Sequence, residues 1–160
     1  QRPYLAKWHS YGKTNEGREL GILILTKSNN VLNKLDQIRE LHHQVIQGQK
    51  SASSDLPVII NLSFNVHGNE AAGSEAALGA IYDLVKDGGV LASINKDYVV
   101  LMDPCINPDG RDRYVNWYNQ VKSTPFDSSP LADEHYEDWP GGRYNHYYFD
   151  LNRDWKFHLL

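Results

Sequence analysis

Blocks of hydrophobic residues, separated by polar segments, predict strands and helices along the chain. The segments YLAKWHS (4–10) and ELGILILT (19–26) are predicted strands, and YGKTNEGR between them is a predicted turn because it carries two glycines and an asparagine. From 28 to 47, leucine, isoleucine and valine recur at the spacing of a helix face, and Asn30 is available as the N-cap. The chain therefore begins with a predicted strand pair followed by an amphipathic helix.

The middle and the end of the chain continue this pattern. Residues 56–66 form an apolar run without clean alternation, which predicts a strand buried on both faces, and 70–86 carries a helical apolar stripe. The run 97–104 predicts another buried strand, and 147–155 predicts a final short strand or its end. The stretch 111–149 is rich in aromatic residues, proline, aspartate and glycine, and a loop of that length is more often functional than not.

The order of these elements, β-β-α-β-α-β, predicts an α/β fold with a mixed, mostly parallel sheet. Since the chain has 160 residues, with no internal repeat or linker, we expect a single domain over 1–160. The net charge of -4 offers no basic footprint for nucleic acid, and no apolar run approaches the roughly 18 residues that a membrane span needs. Cys105 is the only cysteine, so neither an intramolecular disulfide nor a zinc site built from thiolates is expected.

The segment HGNE (67–70) places a histidine and a glutamate where a predicted strand gives way to a predicted helix. Ligands of open α/β sheets bind at the carboxyl ends of the strands, and imidazole and carboxylate groups are both zinc ligands. The two side chains could therefore converge on one ion. The alternative is that His67 ends the strand and Glu70 favours the helix N-terminus, and the spacing alone does not decide between the two.

Three further motifs accompany this one: EGREL (16–20) before it, and NPDG (107–110) and DLNRDW (150–155) after it. In that order, over roughly 11–155, they resemble the zinc carboxypeptidases, the family of metallocarboxypeptidases related to the digestive carboxypeptidases. The stretch resembles the N-terminal half of the family's catalytic domain, so the domain is expected to be truncated. The resemblance implies helices on both faces of the sheet, Zn²⁺ as cofactor, and hydrolysis of the C-terminal bond of a peptide or protein by zinc-activated water.

Carried onto this sequence residue by residue, the resemblance implies roles for five residues. His67 and Glu70 are the first two zinc ligands. Asn152 and Arg153 hold the terminal carboxylate of the substrate, through a directional amide and a guanidinium that can bind it bidentately. Asp150 accepts a hydrogen bond from His67 and so fixes the tautomer and orientation of the ring. The alternative for Asp150 is a solvated carboxylate at a strand end.

The family also uses an arginine between NPDG and the Asn-Arg pair to polarise the scissile carbonyl and stabilise the oxyanion. The spacing here departs from that of the digestive enzymes, so Arg111, Arg113 and Arg143 are all candidates. We favour Arg113 because it lies just past the predicted strand-end turn, and Arg143 is its competitor. The alternative is that all three are solvated or pair with nearby aspartates.

The family's third zinc ligand, a histidine, and its general-base glutamate lie well downstream of the Asn-Arg pair. His158 is too close to that pair to match, so we expect residues 1–160 to lack both groups, to bind zinc weakly and to show no measurable peptidase turnover. In the rival arrangement, His135 or His146 folds over and completes a three-ligand site.

Two other functions stay open. Aspartoacylase-like amidohydrolases, which act on N-acyl amino acids, also carry HGNE and an Asn-Arg pair, but their first histidine usually comes much nearer the N-terminus, and EGREL occupies the peptidase family's place here. A non-catalytic module that keeps only the carboxylate-binding half-site is the other possibility. The residues leave the cellular compartment open, and the family resemblance favours a secreted or periplasmic location.

Overall fold

The computed structural model describes residues 5–156. Within that range the chain forms four strands, five α-helices and two 3-10 helices. The strands are β1 (Ala6–Lys13), β2 (Glu19–Thr26), β3 (Val58–Ser63) and β4 (Tyr98–Asp103). The α-helices are α1 (Asn29–Leu32), α2 (Leu35–Ile46), α3 (Ala71–Val85), α4 (Val90–Ser93) and α5 (Pro108–Val121), and the 3-10 helices are Asp133–His135 and Leu151–Arg153.

The strands form one mixed sheet in the order β1-β2-β4-β3. Its central pair, β2 and β4, runs antiparallel, with Leu23 opposite Met102 and Leu25 opposite Val100. The predicted α/β class with a mixed sheet is therefore confirmed. No helix among residues 5–156 is both long and apolar enough to cross a membrane.

The described residues divide into two compact units. The first unit takes the residues up to 10 together with 21–62 and 76–103, and the second takes 11–20, 63–75 and the residues from 104 onward. The single domain expected over 1–160 stays a prediction. The first unit contains most of the sheet and its hydrophobic core, whereas the second contains the predicted site residues.

The core of the first unit is built from two hydrophobic clusters, one on each face of the sheet. On one face, Ile24 of β2 and Val99 of β4 pack with Val31 of α1 and Ile38 of α2. Successive residues of a strand point to opposite faces, so the neighbouring Leu25 and Val100 belong to the other cluster.

The second cluster covers the opposite face of the same strands. There Leu25 and Val100 pack with Leu91 of α4 and with Tyr98, and Leu84 at the end of α3 lies against them. Because helices contribute residues to both clusters, both faces of the sheet are covered by helices. Full burial of each large apolar side chain stabilises the fold by about 1.5–3 kcal/mol.

The helix predicted over 28–47 is interrupted in the structure, since α1 ends before Asn33 and α2 begins after Lys34. Ser28, rather than Asn30, caps the first part, because its Oγ accepts a hydrogen bond from the Val31 amide at 3.4 Å. Asn33 is the C-cap of α1, and asparagine is a weak helix former, which is consistent with a break at this position.

Strand β3 is more exposed than its apolar sequence predicted. Val58, Ile59 and Ile60 are 44%, 40% and 38% exposed. The prediction of burial on both faces was wrong. Among the strands of residues 5–156, β3 stands at the end of the order, where a strand has a neighbour on one side only and less packing around it.

Helix α5 was not predicted, because its residues fall in the stretch that was interpreted as a long loop. The Oδ1 of Asn107 accepts a hydrogen bond from the Gly110 amide at 2.9 Å, and Pro108 opens the first turn. An asparagine cap followed by proline is a known helix start, so NPDG carried a signal that could have found this helix. The strand predicted over 147–155 was also wrong, since a 3-10 helix forms there.

Candidate metal and carboxylate site

The loop that carries HGNE connects β3 to α3 and packs tightly against other backbone segments. A Cβ atom on Gly68 would overlap the backbone of Gly110 and Arg111 at the start of α5. A Cβ on Gly142 would lie 2.6 Å from the carbonyl oxygen of Gly110 and 3.0 Å from the amide nitrogen of Asn69. Glycine is therefore required at these close approaches, which bring the HGNE loop, NPDG and the segment before Arg143 together.

His67 lies at the centre of this site and is 5% exposed. Its Nε2 is 2.9 Å from Oδ1 of Asp150, and its Nδ1 is 3.0 Å from Oε1 of Glu70. Burial alone would raise the pKa of the Asp150 carboxyl, but hydrogen bonds from His67, Arg143 and the Asn152 amide outweigh it and hold the pKa below its ordinary value. An ionised carboxylate can only accept hydrogen bonds, so the tautomer with its hydrogen on Nε2 satisfies Asp150 and leaves Nδ1 as the ring atom that can bind a metal.

That arrangement fits a zinc ion. Nδ1 of His67 and Oε1 of Glu70 lie 3.0 Å apart, and in that tautomer both atoms can bind one cation. Two ligands on one tetrahedral zinc, each about 2.0–2.1 Å from the metal, lie about 3.3 Å apart. The Glu70 side chain is 65% exposed, so the carboxylate can adjust its position. The donor set and its spacing thus suit Zn²⁺.

Arg143 lies at the edge of this pair. Its Nε and Nη2 donate to Oδ2 of Asp150 at 3.0 and 2.8 Å, and its Nη1 is 3.3 Å from Nδ1 of His67. The carbonyl oxygen of Arg143 accepts a hydrogen bond from Nδ2 of Asn107 at 3.2 Å. The same asparagine that caps α5 therefore also holds the backbone of Arg143.

The two other candidate arginines have different partners. Arg113, the favoured candidate, donates from Nη1 to the carbonyl oxygens of Gly141 and Tyr144 at 2.8 and 3.3 Å. Arg111 donates to the carbonyl oxygen of Ala71 and to Glu75, each at 3.2 Å. The structure thus places Arg143 beside His67, whereas the guanidinium of Arg113 supports the loop that leads to Arg143.

Asn152 and Arg153 follow Asp150 in the second 3-10 helix. Oδ1 of Asp150 caps that helix by accepting from the Asn152 amide at 3.0 Å, and the same oxygen contacts His67. Both side chains are exposed. Oδ1 of Asn152 accepts from Trp155 Nε1 at 3.0 Å, and Nη1 of Arg153 donates to its neighbour's carbonyl at 3.3 Å. Asp150 therefore links the histidine to the Asn-Arg pair.

Comparison with known proteins decides the family. A sequence model of the family described as zinc carboxypeptidase matches residues 1–160. The chain belongs to the zinc carboxypeptidase family. The family assignment and the hydrolase and metallopeptidase classes predicted from the four motifs are confirmed.

Among solved structures, carboxypeptidase A from Helicoverpa armigera is similar to this chain, with 17% identity and a TM-score of 0.49. The similarity covers 84% of this chain and 24% of that one. The chain thus spans about a quarter of the length of the solved structure that it matches. No curated protein matched the sequence.

The chain contains a second cluster of possible metal ligands, which the sequence did not suggest. Within the part of the chain that the structure describes, Glu16, Asp109 and His146 are the one group of three whose ligand atoms lie within 4.8 Å of one another. Arg18 already binds there, with Nη1 2.6 Å from Glu16 and 2.8 Å from Asp109. The Arg18 guanidinium thus already pairs with one oxygen of each carboxylate, Oε2 of Glu16 and Oδ1 of Asp109.

The rival three-ligand arrangement is not formed among residues 5–156. Nδ1 of His146 contacts Glu16 at 3.1 Å, and Nε2 of His135 contacts the carbonyl oxygen of Asp127 at 3.0 Å. Neither belongs to a described three-ligand group with His67. His158 lies outside the described residues.

Proposed function

We propose that this member of the zinc carboxypeptidase family hydrolyses the C-terminal peptide bond of peptides or proteins. In this proposal His67 and Glu70 hold zinc, and Asn152 with Arg153 binds the substrate's terminal carboxylate. The observation that carries it is the double contact of Asp150, whose Oδ1 orients His67 and caps the Asn-Arg helix. One carboxylate thereby contacts both the proposed metal ligand and the backbone that carries the proposed carboxylate clamp.

Zinc, when bound, supplies a Lewis acid that polarises a carbonyl group and lowers the pKa of water. The chain's own residues orient the ring of His67 and bind the substrate. The third zinc ligand and the general base are not assigned to any residue between 5 and 156. The family match supports peptidase activity over the amidohydrolase alternative.

The exposed guanidinium of Arg153 and the amide of Asn152 suit a carboxylate. A guanidinium can donate two parallel hydrogen bonds to a carboxylate, and an amide adds one directional donor. The amide nitrogen of Asn152 is available for this purpose because its Oδ1 is the atom that accepts from Trp155. The pair thus selects a free C-terminus.

Arg143, rather than Arg113, is the residue proposed to donate to the scissile carbonyl oxygen. Its Nη1 already reaches the edge of the His67 and Glu70 pair, where a polarised carbonyl would lie. Arg113 is occupied by backbone carbonyls of the loop, and moving it would cost those hydrogen bonds.

Amidating the substrate tests the clamp in the full-length, zinc-loaded protein. A peptide amide should be hydrolysed with kcat/KM about ten- to a hundredfold lower than its free acid, since a charge-assisted hydrogen bond is lost. Arg153→Gln should remove most of that difference by lowering the rate on the acid. Arg39→Gln, at an exposed site of the first unit, should leave the ratio unchanged. Equal rates on acid and amide with the wild-type protein would contradict the clamp.

A further inference from the structure

Asn65 lies inside the loop between β3 and the proposed ligands, and it is 5% exposed. Its Nδ2 donates to the carbonyl oxygen of His67 at 2.8 Å and to that of Glu70 at 3.1 Å. One carboxamide therefore holds the backbone of both proposed zinc ligands. No motif in the sequence pointed to this residue.

The orientation of the Asn65 amide is fixed on its other side. Oδ1 accepts a hydrogen bond from the Cys105 thiol at 3.1 Å, and the backbone carbonyl of Asn65 accepts from the Asn107 amide at 3.2 Å. An amide nitrogen has two hydrogens, and both are used on the ligand carbonyls. The reversed amide would place Oδ1 against two carbonyl oxygens, so only one orientation satisfies every group.

The backbone of Asn65 is also unusual, with φ of 55°. Asparagine tolerates this left-handed conformation better than most residues, and glycine adopts it without cost. Aspartate tolerates it too, but its ionised carboxylate donates no hydrogen bond. Asparagine combines the required backbone shape with the two donors.

We propose that Asn65 is a positioning residue for the zinc-ligand pair, a role that rests on the metal site of the proposed function. By tying the carbonyls of His67 and Glu70 together, Asn65 holds their side chains at a metal-binding separation before the metal arrives. Preorganisation of this kind raises affinity because less ordering is left to the binding step. Outer-shell partners of metal ligands typically change metal affinity by 10–100-fold when they are removed.

The test compares zinc affinity in variants of the full-length protein, measured by competition with a chelator. Asn65→Gly keeps the left-handed backbone and removes the carboxamide, so the affinity should fall about ten- to a hundredfold. Circular dichroism shows whether the variant is folded. Cobalt(II) loaded in place of zinc should give a changed visible absorption spectrum, which a role in folding alone would not produce.

A second variant keeps the test valid if the glycine variant fails to fold. Asn65→Asp adds a negative charge near the metal, which by charge alone should strengthen binding. The positioning role requires the opposite, a weaker affinity, because both donors are lost. Asn69→Asp is the matched control, since it adds the same charge within the same loop while its own amide contacts Glu137.

The outcomes separate this inference from the proposed function. His67→Ala should abolish tight zinc binding if His67 is a ligand. Loss of affinity in His67→Ala, with wild-type affinity and an unchanged cobalt spectrum in both Asn65 variants, would overturn the role of Asn65 and leave the metal site standing. Wild-type affinity in His67→Ala would instead overturn the metal site, and the role of Asn65 with it.

Discussion

The second unit contains two clusters of the same residue types with opposite arrangements. The ligand cluster consists of His67, Glu70, Asp150 and Arg143, and the ion-pair cluster consists of Glu16, Asp109, His146 and Arg18. In the ligand cluster the arginine binds Asp150 and lies 3.3 Å from Nδ1 of His67, which is itself 3.0 Å from Oε1 of Glu70. In the ion-pair cluster the arginine lies between the carboxylates.

The position of the guanidinium group distinguishes the two clusters as possible metal sites. Proximity alone selects the ion-pair cluster, which brings three possible ligands together. However, the Arg18 guanidinium already donates to both of its carboxylates. The ligand cluster has fewer ligands, and Nη1 of Arg143 lies 3.3 Å from Nδ1 of His67, but among the described residues Arg143 does not pair with the exposed Glu70 carboxylate. We therefore expect zinc at the ligand cluster and none at the ion-pair cluster.

The largest expected effect is on metal binding. His67→Ala should lower the zinc affinity of the full-length protein by about a hundredfold or more, since one of few ligands is lost, whereas His146→Ala should leave it unchanged. Isothermal titration with Zn²⁺ measures both. An equal loss of affinity in His146→Ala and His67→Ala would contradict the assignment of zinc to the ligand cluster alone.

The next effect distinguishes an arginine beside the ligands from one that supports a loop. Arg143→Ala should lower kcat/KM of the zinc-loaded protein by about a hundredfold, the scale on which loss of an oxyanion donor acts. Arg113→Ala should act mainly on thermal stability, because its hydrogen bonds go to backbone carbonyls. Steady-state kinetics give kcat/KM and thermal melting gives the stability of both variants. A large loss of kcat/KM in Arg113→Ala, with only a loss of stability in Arg143→Ala, would identify Arg113 as the catalytic arginine.

Substitutions in the ion-pair cluster should lower the stability of the fold. Arg18→Ala leaves the Asp109 carboxylate, whose side chain is 4% exposed, with Thr14 as its remaining hydrogen-bonding side chain. We expect a loss of about 2 kcal/mol in the free energy of unfolding, measured by urea denaturation. Arg39→Ala is the control, because Arg39 and Asp36 are both strongly exposed, and it should produce no measurable change. Equal losses of unfolding free energy in the two variants would mean that the burial of Asp109 does not raise the cost of removing its partner.

The smallest effect is on the pH dependence of stability. Hydrogen bonds from Arg18 and then from His146 hold the pKa of Glu16 below its ordinary value of 4.5. A carboxyl whose pKa is lowered in the folded state stabilises the fold above its unfolded pKa, and this stabilisation disappears as the pH falls through the folded value. Because the pair is partly solvated, the contribution should stay below about 1 kcal/mol.

Thermal melting between pH 7 and pH 3 measures this contribution. The wild-type protein should melt above Glu16→Gln near neutral pH, and the two curves should converge below pH 4.5. A difference that persisted unchanged at pH 3 would show that the substitution acts by something other than charge.

Sequence patterns predicted those parts of the structure that depend on local periodicity. Strands β2 and β4 and helix α3 lie where their apolar repeats placed them, within about one residue. Strand β3 was placed correctly but its burial was not, because burial depends on the neighbouring elements rather than on the strand's own residues. Helix α5 was missed because most of its residues fall in the stretch interpreted as a long loop, although NPDG carries a helix-start signal.

The site was predictable as far as motifs identify residue types. HGNE and DLNRDW identified five candidate site residues. Of these, Asp150 contacts His67 at 2.9 Å, and Asn152 and Arg153 lie in the 3-10 helix that Asp150 caps. The choice among three arginines depended on the path of a long connection, which sequence spacing does not determine. Asn65 was missed for a similar reason, because its importance comes from two backbone carbonyls that no side-chain pattern reveals.

The close packing of Gly68, Gly110 and Gly142 has a consequence for protein engineering. Each of these glycines lies where a methyl group would meet the backbone of another motif. Transplanting the site onto a different scaffold would therefore require three lengths of main chain in mutual contact, and not just a handful of side chains. A graft that placed the same side chains on loops spaced further apart would contain the same functional groups, but the groups would lie too far apart to act together.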